Sequence, residues 1–181
     1  VDDAGYLLGL IDEISDKVTI DPKRVYFVGH SNGGFMSYRM ACQASERVAA
    51  IASLAGANFD DPADCGASGP VSVLQIHGTL DDTVPYDGGT LGGAATIPSA
   101  HDSAAYWATL AGCAQTATPT ATRLDLDSAV AGDETEVAEF AGCDPGFGVE
   151  LWTMEASGHV PGVTDAFPAR VLDFLLAHPK P

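Results

Sequence analysis

Apolar residues along this chain recur with two different periods. Leu7, Leu10, Ile11 and Ile14 fall at helical spacing behind Asp2, a residue able to cap a helix N-terminus. Asp21-Pro22 ends that run. Residues 24–29, 48–55, 71–77 and 149–154 are short apolar runs bounded by Gly, Pro and polar residues, which predicts four buried strands. Helical patterns fall at 35–41, at about 100–111, and around Phe167, Val171, Phe174 and Leu175. Strands joined by helices predict parallel pairing with right-handed crossovers. Residues 122–127 and 134–140 read as a hairpin around Gly132-Asp133. Residues 57–69 and 86–98 are Gly-rich, Asp-rich or Pro-rich loops. The class is α/β, a mostly parallel sheet flanked by helices in one domain spanning 1–181.

Candidate chemistry sits where strands end. Gly29-His30-Ser31-Asn32-Gly33 lies between the first strand and a helix, the placement of the nucleophile elbow of α/β-hydrolases. The sharpness of that turn predicts that Gly29 and Gly33 must lack bulk. Ser31 is then a nucleophile held in strained backbone geometry, and the Asn32 N–H at the helix start can face an oxyanion. A serine nucleophile needs a base and an orienting acid, which follow in the order Ser, Asp, His in this fold. The 71–77 strand runs into a loop with two acids, Asp81 and Asp82, and the 149–154 strand runs towards His159. In a parallel sheet these three strand ends share one edge.

The remaining histidines and acids have plainer readings. His30 reads as a packed residue on the lower side of the sheet, and His77 as a hydrogen-bond partner of the Asp81 loop. His101 and His178 read as helix-terminus residues, and Tyr106 and Trp107 as core. Asp60, Asp61 and Asp64, or Asp125, Asp127 and Asp133, could bind calcium, but neither set has EF-hand spacing and solvated acidic loops are the expected reading. No metal and no organic cofactor is implied.

Composition narrows the class. Hydrophobic residues make up 46% of 181, enough for a globular core. Twenty-five acids against eight bases give a formal net charge of −17, which disfavours nucleic acid and anionic membrane as partners. Cys42, Cys65, Cys113 and Cys143 lack zinc-site spacing. Four cysteines allow three pairings; their places beside the predicted elements favour Cys42–Cys65 and Cys113–Cys143, against four buried thiols. Two disulfides imply an oxidising compartment.

Several stretches together resemble the secreted polyhydroxybutyrate depolymerase/feruloyl esterase family of α/β-hydrolases. They are Val1-Asp2-Asp3-Ala4-Gly5-Tyr6, Asp21-Pro22-Lys23-Arg24-Val25-Tyr26, Gly29-His30-Ser31-Asn32-Gly33-Gly34-Phe35-Met36-Ser37-Tyr38-Arg39-Met40-Ala41-Cys42, His77-Gly78-Thr79-Leu80-Asp81-Asp82-Thr83-Val84-Pro85-Tyr86 and Gly158-His159-Val160-Pro161-Gly162. The resemblance implies Ser31 as nucleophile, Asp81 rather than Asp82 as the acid, and His159 as the base. Tyr86, after the acid loop, is expected either to border the substrate or to be a surface aromatic, and Val160, where many relatives carry tryptophan, to border the substrate. The family's sheet has further N-terminal strands and a loop with a second oxyanion donor, so this chain is expected to cover the C-terminal half of that sheet. The implied function is a secreted serine carboxylesterase acting on feruloyl or other hydroxycinnamoyl esters of plant cell-wall polysaccharide. Polyhydroxyalkanoate polyester and acetylated xylan are alternative substrates, and a non-catalytic, hydrolase-like binding remnant is the alternative of another class.

Overall fold

The computed structural model describes residues 1–93 and 95–181. Helix α1 (Asp3–Ser15) starts at Asp2, whose carboxylate accepts the Gly5 N–H at 2.9 Å. Strand β1 (Tyr26–His30) leads directly into α2 (Asn32–Gln43), which is followed by β2 (Ala50–Leu54) and the short α3 (Pro62–Cys65). Strand β3 (Ser72–Gly78) precedes a small hairpin, β4 (Gly89–Leu91) and β5 (Ala95–Ile97). Then come α4 (Ala100–Leu110), β6 (Thr118–Leu124), β7 (Thr135–Glu139), β8 (Val149–Met154) and α5 (Ala166–Ala177).

The main sheet runs β1-β2-β3-β8-β7-β6. Its first four strands are parallel, as the apolar runs predict, and β7 and β6 extend it antiparallel beyond β8. The expected hairpin therefore belongs to the main sheet, and its first strand lies four residues earlier than the sequence suggests. Two causes are visible. Strand β6 is an exposed edge rich in threonine, so it shows little apolar alternation. Leu126 and Asp127 leave the ladder because their backbone N–H groups bond the Glu134 carboxylate instead.

Period-two alternation divides the core between the two faces of the sheet. Ile51, Val73, Val149 and Leu151 face α2 and α4, where Tyr38, Met40, Ala104 and Trp107 pack. Ala50, Ala52, Leu74, Ile76, Trp152 and Met154 face α5, through Val171, Phe174 and Leu175. Strand β3 is buried along its whole length, yet it carries Gln75 and His77 at 0% and 1% exposure. Two disulfides tie the helical layer down. Cys42–Cys65 joins α2 to α3, and Cys113–Cys143 joins the end of α4 to the segment before β8, the pairing expected from the sequence.

Candidate active site

Ser31 sits between β1 and α2 with φ of 55° and ψ of −119°, a region that non-glycine residues adopt only under strain. Its N–H donates to the Leu54 carbonyl at 2.8 Å, which fastens the turn to the next strand. The two glycines of the motif are not equivalent. A Cβ on Gly29 would lie 2.1 Å from the Gly33 backbone, whereas one on Gly33 would meet nothing within 4 Å. The steric demand therefore falls on Gly29. Gly34 carries a second demand, since a Cβ there would lie 2.6 Å from Ser53 Oγ, where α2 presses on β2. Asn32 opens α2, so its N–H is one of the donors a helix N-terminus leaves free.

The loop after β3 and the loop after β8 meet at Gly78, where a Cβ would fall 2.3 Å from the Ser157 carbonyl oxygen. That close approach brings Asp81 to His159. Asp81 Oδ2 accepts from His159 Nδ1 at 2.8 Å, and His159 Nε2 lies 2.9 Å from Ser31 Oγ. A carboxylate only accepts, so the proton sits on Nδ1 and Nε2 is left free to take the serine proton. Asp81 is buried, and its Oδ1 accepts the N–H groups of Thr83 and Val84 at 2.9 and 2.8 Å. Burial pushes this carboxyl up, but the bonds from His159, Val84 and Thr83 outweigh it and hold it below the ordinary carboxylate range. Asp82 is exposed and accepts the hydroxyl of Thr83.

The other histidines sort by environment. His77 is buried behind Asp81 and contacts its Oδ2, as the reading of a loop partner expects. His30 departs from expectation. It is exposed rather than packed, and its Nε2–H donates to the His159 backbone carbonyl at 2.7 Å, with the two rings 5.0 Å apart. At a strand end the alternation of faces no longer dictates burial, and the turn carries the ring up to the loop. His101 lies in the first turn of α4, and His178 caps α5 with its ring on the Phe174 carbonyl. Trp107 is fully buried and Tyr106 half-buried.

Tyr86 is half-buried, with its hydroxyl 2.8 Å from Thr153 Oγ1 and its ring edge-on to His77. Val160 is 76% exposed beside His159. Neither lines a groove of about 890 Å³ that takes in Asn32 and passes Phe35, Met36, Tyr6 and Phe59. That groove is walled by α1, α2 and the loop after β2.

Two buried carboxylates escaped the sequence reading. Asp127, expected in a solvated acidic loop, is 2% exposed. Its Oδ1 accepts the N–H groups of Ala129 and Gly162 at 3.0 and 2.9 Å, and its Oδ2 accepts the Ser157 hydroxyl at 2.7 Å. Ser157 and Gly162 bracket His159, so Asp127 grips both ends of that loop. Glu134 in turn holds the N–H groups of Leu126 and Asp127. Protein donors satisfy both groups in place of water, which composition alone cannot reveal. Among the described residues no three His, Cys, Asp or Glu side chains converge as a metal site would require.

Comparison with known proteins places this chain in a family. The sequence profile of the phospholipase/carboxylesterase family matches residues 2–100. Feruloyl esterase B of Piromyces equi is 33% identical over 171 residues, covering 89% of this chain and 29% of its own. A bifunctional acetylxylan esterase/xylanase of Neocallimastix patriciarum is 34% identical over 84 residues, 46% of this chain and 12% of its own. The chain thus spans less than a third of the length of either relative. The solved acetyl xylan esterase from Aspergillus awamori superimposes with a TM-score of 0.66 at 14% identity, over 96% of this chain and 67% of that one, a likeness of fold. With more than half its length matched by the family profile and its mostly parallel sheet flanked by helices, the chain belongs to the phospholipase/carboxylesterase family of α/β-hydrolases.

Proposed function

We propose that this chain carries the catalytic centre of a secreted serine carboxylesterase, with Ser31 as nucleophile, His159 as base and Asp81 as orienting acid. The observation that supports it is the unbroken hydrogen-bonded series Ser31–His159–Asp81 at 2.9 and 2.8 Å, starting from a serine with positive φ at a helix N-terminus. His159 Nε2 removes the hydroxyl proton as Ser31 Oγ attacks an ester carbonyl. The Asn32 N–H donates to the oxyanion that forms. Asp81, already ionised, stabilises the imidazolium and fixes its tautomer. His159 then passes its proton to the leaving alcohol, and a water molecule repeats the sequence on the acyl-enzyme.

Feruloyl and related hydroxycinnamoyl esters of plant polysaccharide are the substrates this reading favours, because the relative matched over most of the chain is a feruloyl esterase. Acetylated xylan is the second reading, favoured by the relative with acetylxylan esterase in its name. Two disulfides support an oxidising, extracellular setting.

The test is a parallel assay on methyl ferulate, acetylated xylan, p-nitrophenyl acetate and polyhydroxybutyrate, with Ser31→Ala beside the wild type. The expected result is a pre-steady-state burst on p-nitrophenyl acetate, the highest kcat/KM on methyl ferulate, and a loss of about 10⁴-fold or more in Ser31→Ala. Undiminished turnover in Ser31→Ala would end the serine-esterase reading. Stoichiometric binding without turnover in the wild type would make the chain a binding remnant.

A further inference from the structure

We infer that His77 is a positioning residue for Asp81: a neutral imidazole, locked in one tautomer from behind by Gln75, whose Nε2–H fixes the carboxylate oxygen that His159 uses. The inference rests on the esterase reading above for its kinetic consequence, and on hydrogen-bond chemistry alone for the lock.

The lock can be read from acceptors that cannot donate. Gln75 and His77 lie two residues apart on β3, so both point to the face covered by α2 and α4. Two polar side chains fully buried on one strand are costly unless every donor and acceptor is satisfied. The Gly56 carbonyl lies 2.8 Å from Gln75 Nε2, and a carbonyl only accepts, which fixes the orientation of the amide. Gln75 Oε1 then accepts the Tyr38 hydroxyl at 2.9 Å. The second Nε2 proton of Gln75 points at His77 Nδ1, 3.1 Å away. Nδ1 must therefore be the acceptor nitrogen of the ring.

The proton of His77 sits accordingly on Nε2, and the other side of the ring demands the same. The Val84 carbonyl lies 2.8 Å from Nε2, and Asp81 Oδ2 lies 3.2 Å from it. One N–H is shared between a carbonyl that sets the acid loop and the carboxylate oxygen that faces His159. A doubly protonated ring would set an N–H against the amide N–H of Gln75, so His77 is held out of the cationic form. Burial acts in the same direction and keeps its pKa below the usual histidine value. His77 thus fixes Asp81 without adding charge and does not serve as a second base. The titratable groups facing it are Asp81 and His159 across the loops, Tyr86 edge-on, and Tyr38 through Gln75.

Asp81 Oδ2 therefore receives two N–H donors and Oδ1 two more, which pins the plane of the carboxylate. Removing the His77 N–H frees that plane. It also returns negative charge to Oδ2, which favours the protonated form of the His159 ring.

The experiment compares wild type, His77→Gln, His77→Leu and Gln75→Met. It measures kcat and KM on p-nitrophenyl acetate against pH, thermal midpoints, and the histidine ¹⁵N spectrum. Gln at position 77 keeps an N–H near the place of Nε2, and Leu does not. His77→Leu is expected to lose roughly tenfold to a hundredfold in kcat with KM little changed. The acid limb of its kcat/KM profile should move up by about half to one pH unit. His77→Gln should recover most of both. Gln75→Met, which frees the tautomer, should fall between. A lowered midpoint with an unmoved acid limb in His77→Leu would reduce His77 to a structural residue and overturn the inference. If His77→Leu does not fold, Gln75→Met and the wild-type spectrum decide. A neutral Nε2–H signal for His77 throughout pH 6 to 9, as a range of about three units, supports the lock; an Nδ1–H or cationic signal overturns it. The spectrum reads the lock even if wild type shows no Ser31-dependent hydrolysis, an outcome that would sink the esterase reading by itself.

Discussion

Asp81 and Asp82 are chemically identical and adjacent, so only their surroundings can give them different roles. Asp81 turns inward to four N–H donors, while Asp82 is exposed beside Thr83. Asparagine at 81 would offer an amide where His159 needs an acceptor and would favour the wrong imidazole tautomer. Asp81→Asn is expected to cost about 10⁴-fold in kcat, the scale known for this change in a serine protease. Asp82→Asn should stay within roughly twofold, since exposed side chains away from such contacts contribute little. Steady-state kinetics on p-nitrophenyl acetate checks both, and the reverse order would move the acid to Asp82. The meeting of Ser31, Asp81 and His159 at one sheet edge was legible in the sequence because each follows an apolar run that could be read as a strand. His30 was not, because one sequence does not say which way a ring turns once the strand has ended.

At the scale of elements, the question is what holds the loop carrying His159. The β6–β7 connection does so through Asp127, which bonds Ser157 and Gly162, and through Ser128, whose N–H and hydroxyl both reach the Gly162 carbonyl. The antiparallel strands at the far edge of the sheet thus serve the site, not only the edge. Burial pushes the Asp127 carboxyl up, but the bonds from Ala129, Ser157 and Gly162 outweigh it and leave it below the ordinary value. A carboxyl depressed by folding stabilises the native state above its unfolded pKa of about 3.9, and that stability is lost as pH falls through the folded pKa. Asp127→Asn should therefore melt well below wild type at neutral pH, and the gap should close as pH drops below about 4. Calorimetry across that range tests it, and a gap independent of pH would contradict it. The same variant should lower kcat by about tenfold by loosening His159. The four parallel strands could be read from the sequence because burial on both faces makes them almost wholly apolar. The hairpin register and the Asp127 clamp could not. An inward-turned carboxylate has the same letter as a solvated one, and an edge strand of threonines carries no clear period.

The whole molecule combines a strongly acidic surface with a core closed by two covalent ties. Like charges at −17 net repel one another and oppose compaction, most at low salt. The disulfides close loops with sequence separations of 23 and 30 residues. In the chain-entropy picture each contributes about 3.5 kcal/mol. Reduction should therefore lower the thermal midpoint by several degrees or more, and by more in low salt than in high salt; an unchanged midpoint under reductant would show that the core carries the fold alone. The same view of the molecule bears on its substrates. Apart from α2, α4, α5 and the β6–β7 strands, the connections after the parallel strands hold, among the described residues, the four-residue α3 and the β4–β5 hairpin of three-residue strands. Neither is a helix long enough to cover a groove and present an apolar face on opening. We read the groove of about 890 Å³ that passes Asn32 along α1 and α2 as the path of the substrate. On that reading, no lid helix among the described residues unmasks an apolar face at an oil–water interface. Rates on short-chain esters should rise smoothly through the solubility limit of the substrate. They should fall as the acyl chain lengthens past a few carbons, because an open groove cannot enclose a long alkyl chain and leaves its outer methylenes in water. Initial rates on a p-nitrophenyl ester series, measured from acetate upward and across each solubility limit, test this. A sharp jump at the limit, or faster turnover of long-chain triglycerides than of methyl ferulate, would identify a lipase and overturn the open-groove reading.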